Sequence, residues 1–226
     1  MRLLILSFYY PPDLSAGSFR TGSLVNTLKS KINEDDQVDI VTTFPNRYQS
    51  YNITVSSTEQ VADNINVYRI KLPPHKSGML DQALSFFKYF LKSQRLVKRK
   101  EYDMVFATSS RLFTAFLGAS IARKKRIPLF LDIRDIFLDT LNSIMNSWQL
   151  FILKPVIAKI ERFPIKKANH INLVSEGFKD YFIKKYPDKS YSDFTNGIDE
   201  EFLNYDFKKT IDSSNKVITY AGNLGE

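Results

Sequence analysis

The chain has 226 residues, 43% of them hydrophobic, with no cysteine, two histidines and a formal net charge of +8. These counts exclude a disulfide framework, a Cys-type zinc site and a Cys nucleophile, and His75 and His170 are too few for a multi-His metal site. The length lies between one average domain and two, the apolar share suffices for a full core, and the charge suggests an anionic partner or solubility alone.

The elements follow in chain order. Residues 2–8 read as a strand buried on both faces. The same stretch is too short for the apolar core of a signal peptide, and Tyr9-Tyr10-Pro11-Pro12-Asp13 stands where a cleavage site would be. With no apolar run long enough to span a bilayer, a cytoplasmic location is expected. Residues 19–32 form a helical pattern with Leu24, Val25, Leu28 and Ile32 at helical spacing, and 37–42 a second strand. Residues 43–64 are polar and read as a long loop. Strand 65–70 and helix 80–98 follow, then strand 103–107, helix 112–124 and strand 128–132. A helix over 148–167, interrupted near Pro155, precedes strand 170–174, helix 176–185 and strand 192–195.

Strand–helix alternation with Val/Ile/Leu-rich strands predicts an α/β fold with a doubly wound, mainly parallel sheet. Ligands in such sheets sit beyond the carboxyl ends of the strands. The expected boundaries are one domain over 1–205, a connector over 206–215, and the first strand of a second domain over 216–226, where the sequence stops in a Gly-containing loop.

The first loop lacks the three spaced glycines of a dinucleotide fingerprint. Ala16-Gly17-Ser18 are small and precede a helix, so backbone N–H groups could approach a phosphate there, with Arg20 adding a charge-assisted bond. The same residues also read as a plain turn with Ser18 as N-cap. Asp132, Arg134, Asp135 and Asp139 cluster at the end of an apolar strand, where charge is costly unless used or paired. Asp135 or Asp139 could hold a sugar hydroxyl or act as a base; an Arg134–Asp pair fixing the loop is the alternative. Ser175 reads as a helix cap with Glu176 in the first turn. Asn196-Gly197 is a turn signal at a strand end. His75 and His170 read as structural.

Helix 80–98 carries Leu80, Ala83, Leu84, Phe87 and Leu91 on one face. Phe86, Tyr89 and Phe90 widen its apolar surface, and Lys92, Arg95 and Lys98 are among the cations around it. That composition suits an interfacial helix on anionic lipid, and it also suits a core helix with a solvated basic end. Arg123-Lys124-Lys125-Arg126 is a second basic cluster. No nucleic-acid-binding motif is present, so no nucleic-acid partner is expected.

Five stretches in register resemble the family-4 retaining glycosyltransferases of the GT-B fold, the bacterial capsule and O-antigen type. They are LLILSFYYPPDLSAGSFRTGSL at 3–24, LFLDIRDIFLD at 129–139, NLVSEGFKDYF at 172–182, TNGID at 195–199 and ITYAGNLGE at 218–226. The resemblance implies the N-terminal, acceptor-binding half of a two-domain enzyme whose C-terminal donor domain, with its E-x7-E region, is missing. It implies a nucleoside-diphosphate sugar as donor, no cofactor and no metal. It also implies a glycan or polyprenyl-diphosphate-linked acceptor at the inner face of the cytoplasmic membrane. By position, Gly17 approaches the donor diphosphate and Asp135 lies in the cleft as the catalytic candidate. Ser18, Arg20, Arg134, Glu176, Asn196 and Gly197 would line the substrate side, and Phe86, Tyr89, Phe90, Lys92, Arg95 and Lys98 the membrane side. The isolated chain would then lack activity. Other readings are the acceptor-side subunit of a two-chain transferase and a single-domain protein that binds a phosphorylated ligand.

Overall fold

The computed structural model describes residues 1–47, 53–73, 79–109, 112–136, 147–198 and 200–203, without the side chains of 79–83, 147–153, 200 and 201. A compact unit spans residues 1–196, and a second begins at Gly197. Within the first unit an eight-stranded sheet runs in the order β3-β4-β2-β1-β5-β6-β7-β8. Its strands are β1 (Arg2–Leu6), β2 (Gln37–Thr43), β3 (Thr58–Ala62), β4 (Ile65–Ile70), β5 (Met104–Thr108), β6 (Leu129–Ile133), β7 (His170–Leu173) and β8 (Ser190–Asp193). The helices are α1 (Ala16–Lys29), α2 (Met79–Val97), α3 (Leu112–Lys125), α4 (Ser147–Lys167) and α5 (Lys179–Lys185), the last entered through a 3-10 turn at Glu176–Phe178. The second unit contributes a short helix, α6 (Glu200–Leu203).

Every strand pair is parallel except β3 with β4. The antiparallel strand β3 falls inside the stretch expected to be a loop. Its residues are exposed or half-exposed, so it has no apolar alternation to announce it. It is held by pairing with β4 and by Arg69, whose buried guanidinium meets Glu59 at 2.6 Å and donates to the carbonyls of Ser56 and Pro11.

Strand β1 explains the layering. Leu4 and Leu6 enter one core with residues of β5, β6, β7 and the helices α2 to α5, while Leu3 and Ile5 enter another with Val25 of α1, Val38, Ile40, Ile65 and Val67. Both faces of the central strand are dry, which is why it reads as a continuous apolar run. Gly118 lets α3 lie directly on β5: a Cβ there would come within 2.5 Å of the Ala107 Cβ. Helix α4 runs on through Pro155 and Pro164, where an interruption was expected; a proline removes one N–H donor but holds a helical φ.

The face of α2 that enters the core is the reverse of the one its sequence suggested. Phe86 and Tyr89 are buried and Phe90 is half-buried, whereas Leu84, Phe87 and Leu91 are exposed. Phe86 stacks on Phe113 at 4.8 Å, Tyr89 packs edge-on against Phe8 at 5.3 Å, and the Tyr89 hydroxyl donates to the Val41 carbonyl at 2.8 Å. A ring with a polar tip fits a buried slot when that tip finds an acceptor. Phe86 and Tyr89 are therefore core residues and not membrane contacts, and Phe90 leans on the same core. Leu80 and Ala83 lie among the side chains not described.

Candidate functional site at the carboxyl ends of the strands

Strand β1 lies between β2 and β5 in the sheet, with β4 beyond β2 and β6, β7 and β8 beyond β5. The chain thus winds outward in opposite directions from β1, and a crevice opens at this reversal point. The β1–α1 loop fills it. Ser15, not Ser18, caps α1: the Ser15 Oγ accepts the Ser18 N–H at 3.2 Å. Ala16 and Gly17 thereby become the first two helical residues, and their N–H groups have no partner among the described residues. The turn is tied to β1 through Thr21, whose hydroxyl meets Gly17 O at 2.9 Å and Ser7 Oγ at 2.9 Å. The Ser18 side chain is fully buried, and its Oγ has no hydrogen-bond partner among the described residues.

Asp13 anchors the other side of this loop. Its buried carboxylate accepts the N–H groups of Asn46 at 3.0 Å and Arg47 at 3.3 Å. Burial raises its pKa, and those N–H bonds oppose the rise. Tyr10, also buried, is pushed up to about 12 by desolvation, with Glu59 adding to the rise.

Arg20 is the hub. Its Nε and Nη2 grip both oxygens of Asp132 at 3.1 and 3.0 Å. Nη2 also donates to Phe194 O at 2.7 Å, and Nη1 to Thr195 O at 2.8 Å and Asn196 Oδ1 at 3.5 Å. A guanidinium has five N–H donors, and all are taken. The expectation that Arg20 binds a phosphate is corrected here: its charge is spent on the buried Asp132, and it positions the loops instead. Asp132 further accepts Asn172 Nδ2 at 2.7 Å, and Asn172 Oδ1 accepts the Phe194 N–H at 2.8 Å and the Ser192 hydroxyl at 3.1 Å. Asn172 and Ser109 were not singled out from the sequence. A buried aspartate at the end of an apolar strand demands partners, but not which ones.

Arg134 is held by its backbone N–H to Ser109 Oγ at 2.9 Å, and its Nη2 reaches Asn196 Oδ1 at 3.4 Å. Its Nη1 is buried without a hydrogen-bond partner among the described residues. Desolvation lowers its pKa, Asp132 and Asp135 oppose that, and Arg20 adds to it. Among the described residues the ion pair that fixes this loop is Arg20–Asp132, and Arg134 forms no salt bridge there. Asp135 is exposed beside Arg134, and Asp139 lies outside the described residues. Ser175 caps the 3-10 turn through the Gly177 N–H at 3.3 Å, and Glu176 stands exposed beside Lys179 at 3.5 Å. Gly197 is exposed at the start of the second unit. Two large rings, Phe19 and Phe194, are 61% and 64% exposed next to Arg20 in sequence and in hydrogen bonding respectively. His170 is structural, its two ring nitrogens meeting Ser190 and Ser192 at 2.9 Å each. His75 and the stretch 216–226 lie outside the described residues. Among the described residues no His, Cys, Asp or Glu cluster could hold a metal ion.

No protein-family model matches the sequence, and no curated protein matches it. Solved structures do match the fold. Sucrose-phosphate synthase from Thermosynechococcus elongatus superposes with a TM-score of 0.59 at 8% identity, over 90% of this chain and 93% of that one. UGT2 of Phytolacca americana, complexed with UDP-2-fluoro-glucose and pterostilbene, gives 0.49 at 12% identity over 88% and 53%. HepE of Anabaena, in complex with UDP, gives 0.46 at 16% over 88% and 45%. The chain spans about half the length of these last two. The first match carries the structural assignment: the fold is an α/β, Rossmann-like half of the GT-B type.

Proposed function

We propose that this chain is the acceptor-side half of a family-4 retaining glycosyltransferase. The whole enzyme would move a sugar from a nucleoside-diphosphate donor to a lipid-linked glycan in surface-polysaccharide synthesis, at the inner face of the cytoplasmic membrane. One observation supports this above the others. Residues from four of the five stretches that carry the resemblance, namely Arg20, Asp132, Asn172 and Asn196, are hydrogen-bonded into one network at the carboxyl ends of the strands. Segments more than 170 residues apart are thus built around one crevice.

In this reading the free N–H groups of Ala16 and Gly17, at the positive end of α1, face the departing diphosphate. The acceptor oxygen bonds to the anomeric carbon on the face from which the diphosphate leaves. The leaving oxygen takes the acceptor proton, so no protein base is required. Asp135 and Arg134 line the acceptor side, and Phe19 and Phe194 offer apolar rings to a sugar or to a second domain. Glu176, Asn196 and Gly197 complete the rim.

The test is transfer from labelled UDP- and GDP-sugars to a polyprenyl-diphosphate glycan. Residues 1–226 joined to a nucleotide-sugar-binding donor domain should transfer sugar, and residues 1–226 alone should not. Robust turnover by residues 1–226 would overturn the half-enzyme assignment.

A further inference from the structure

At the amino ends of β6 and β7, at the opposite end of the strands from the crevice, lies an open cavity of about 630 Å³. That volume is in the range of small-molecule sites. Its polar lining is Arg123, Arg126, Lys166, Lys167 and Asn169, and Pro128 and Phe163 form an apolar wall. Arg123 lies in the last turn of α3 with Arg126 just beyond it, and Lys166 and Lys167 close α4. The sequence has no acidic residue over 104–131 or over 162–175. Among the described residues none of the four cations enters an ion pair.

The ordinary reason for cations at helix ends does not account for this cluster. Two helix carboxyl ends carry about half a negative charge each, against four full positive charges. The carbonyls at those ends are also served by other groups. Ala122 O and Arg123 O accept the N–H groups of Ile127 and Arg126, and Lys189 Nζ donates to Lys166 O at 2.6 Å and Ala168 O at 2.8 Å. The surplus field is felt by Lys189, whose pKa is lowered by burial and then by the charge of Lys167. Arg126 holds a φ of 58°, which glycine would adopt without strain; the arginine brings a guanidinium to the cavity at a cost in stability. Asn169 is clamped to β6, its N–H donating to Leu129 O at 2.9 Å and its Oδ1 accepting the Leu129 N–H at 3.0 Å. The amide oxygen is thereby committed, and Nδ2, without a partner among the described residues, is the donor this side chain has left.

We infer that this cavity binds a compact polyphosphate, two or more linked phosphates either free or carried by a nucleotide. Arg123 and Arg126 offer planar forks to phosphate oxygens, Lys166 and Lys167 offer point charges, and Asn169 adds a fixed neutral donor. Phe163, braced against Phe116 at 5.1 Å, and Pro128 give an apolar wall to whatever carries the phosphates. The site stands apart from the crevice by the length of a five-residue strand, about 17 Å, so it does not depend on the transferase reading.

The test is isothermal titration of residues 1–226 with tripolyphosphate, ATP and orthophosphate. Tripolyphosphate should saturate a single site, bind roughly tenfold or more tighter than orthophosphate, and weaken with salt. Tighter binding of ATP than of tripolyphosphate would support a nucleotide, and equal affinity a bare phosphate chain. Arg123→Gln with Lys166→Gln should weaken tripolyphosphate about tenfold, near a factor of three per cation. Asn169→Asp keeps an acceptor for the Leu129 N–H and sets an anionic oxygen toward the phosphates, so it should weaken binding by roughly tenfold as well. Lys29→Gln with Lys31→Gln removes the same charge from the end of α1 and should leave affinity within about twofold. Far-UV circular dichroism checks that each variant is folded. No saturable binding by the wild type, or wild-type affinity in both the Arg123/Lys166 and the Asn169 variants, overturns the inference. So does an equal loss in the Lys29/Lys31 variant, which would make the effect one of net charge. An RNA oligonucleotide that binds and is not displaced by tripolyphosphate would likewise overturn it, making the partner a nucleic acid.

Discussion

Replacing Arg20 by leucine removes a guanidinium that is matched on all five donors. The partner it leaves is Asp132, whose side chain is 2% exposed while that of Arg20 is 19% exposed. The two contacts at 3.0 and 3.1 Å form a bidentate, charge-assisted pair, the strong kind. Breaking a buried pair from one side costs about 3–5 kcal/mol, because an uncompensated charge remains. Asn172 still donates to Asp132, and the freed carbonyls of Phe194 and Thr195 can be rewetted. The expected loss for Arg20→Leu is therefore at the lower end, about 3 kcal/mol. Asp132→Leu should cost a similar amount. The double variant should cost less than the sum by roughly 1.5–3 kcal/mol. Urea unfolding of the four proteins closes the cycle. Single variants within about 0.5 kcal/mol of wild type, or strict additivity, would refute a structural hub and return Arg20 to the pool of phosphate ligands.

Three further outcomes follow from the packing and the titrations. Gly118→Ala should destabilise by roughly 1–3 kcal/mol in the same assay, since its Cβ would press on Ala107 at 2.5 Å and neither backbone can yield freely. Arg126 ends α3 at a positive φ of 58°, with the Ile127 N–H returning to Ala122 O. Arg126→Gly should raise stability by about 0.5–1 kcal/mol, because glycine takes that conformation without strain. Tyr10 holds its proton more tightly when folded, up to about 12. Its contribution is fully present below the unfolded value near pH 10 and is lost as pH rises toward 12. Tyr10→Phe should thus match wild type at pH 8 and lose less stability between pH 10 and 12. Parallel curves for the two proteins over that window would contradict the burial argument.

Most of the sheet was legible because both faces of β1, β2 and β5 are dry and their runs of Val, Ile and Leu need no partner to be recognised. Strand β3 was not, because an exposed antiparallel edge leaves no apolar alternation. The cap of α1 was placed three residues late, since serines stand at both 15 and 18. The basic and aromatic excess of α2 was visible, but its orientation was not.

The crevice shows the same division. The small residues at 16–18, the charges at 132–135 and the turn at 196–197 could be found from local chemistry and from their place after apolar runs. Which charges consume one another could not. Arg20 and Asp132 are separated by 112 residues and meet only because α1 begins, and β6 ends, on the same side of the sheet. What the sequence alone determined is the order of elements and the loops worth watching, since periodicity and composition act within a few residues. What only the tertiary structure decided is the use of each side chain: Phe86 and Tyr89 of α2 turned inward to meet Phe8 and Phe113, Leu84 and Leu91 turned out, and an arginine with the look of a ligand became a brace. Burial and pairing are properties of neighbours that the chain brings together only by folding.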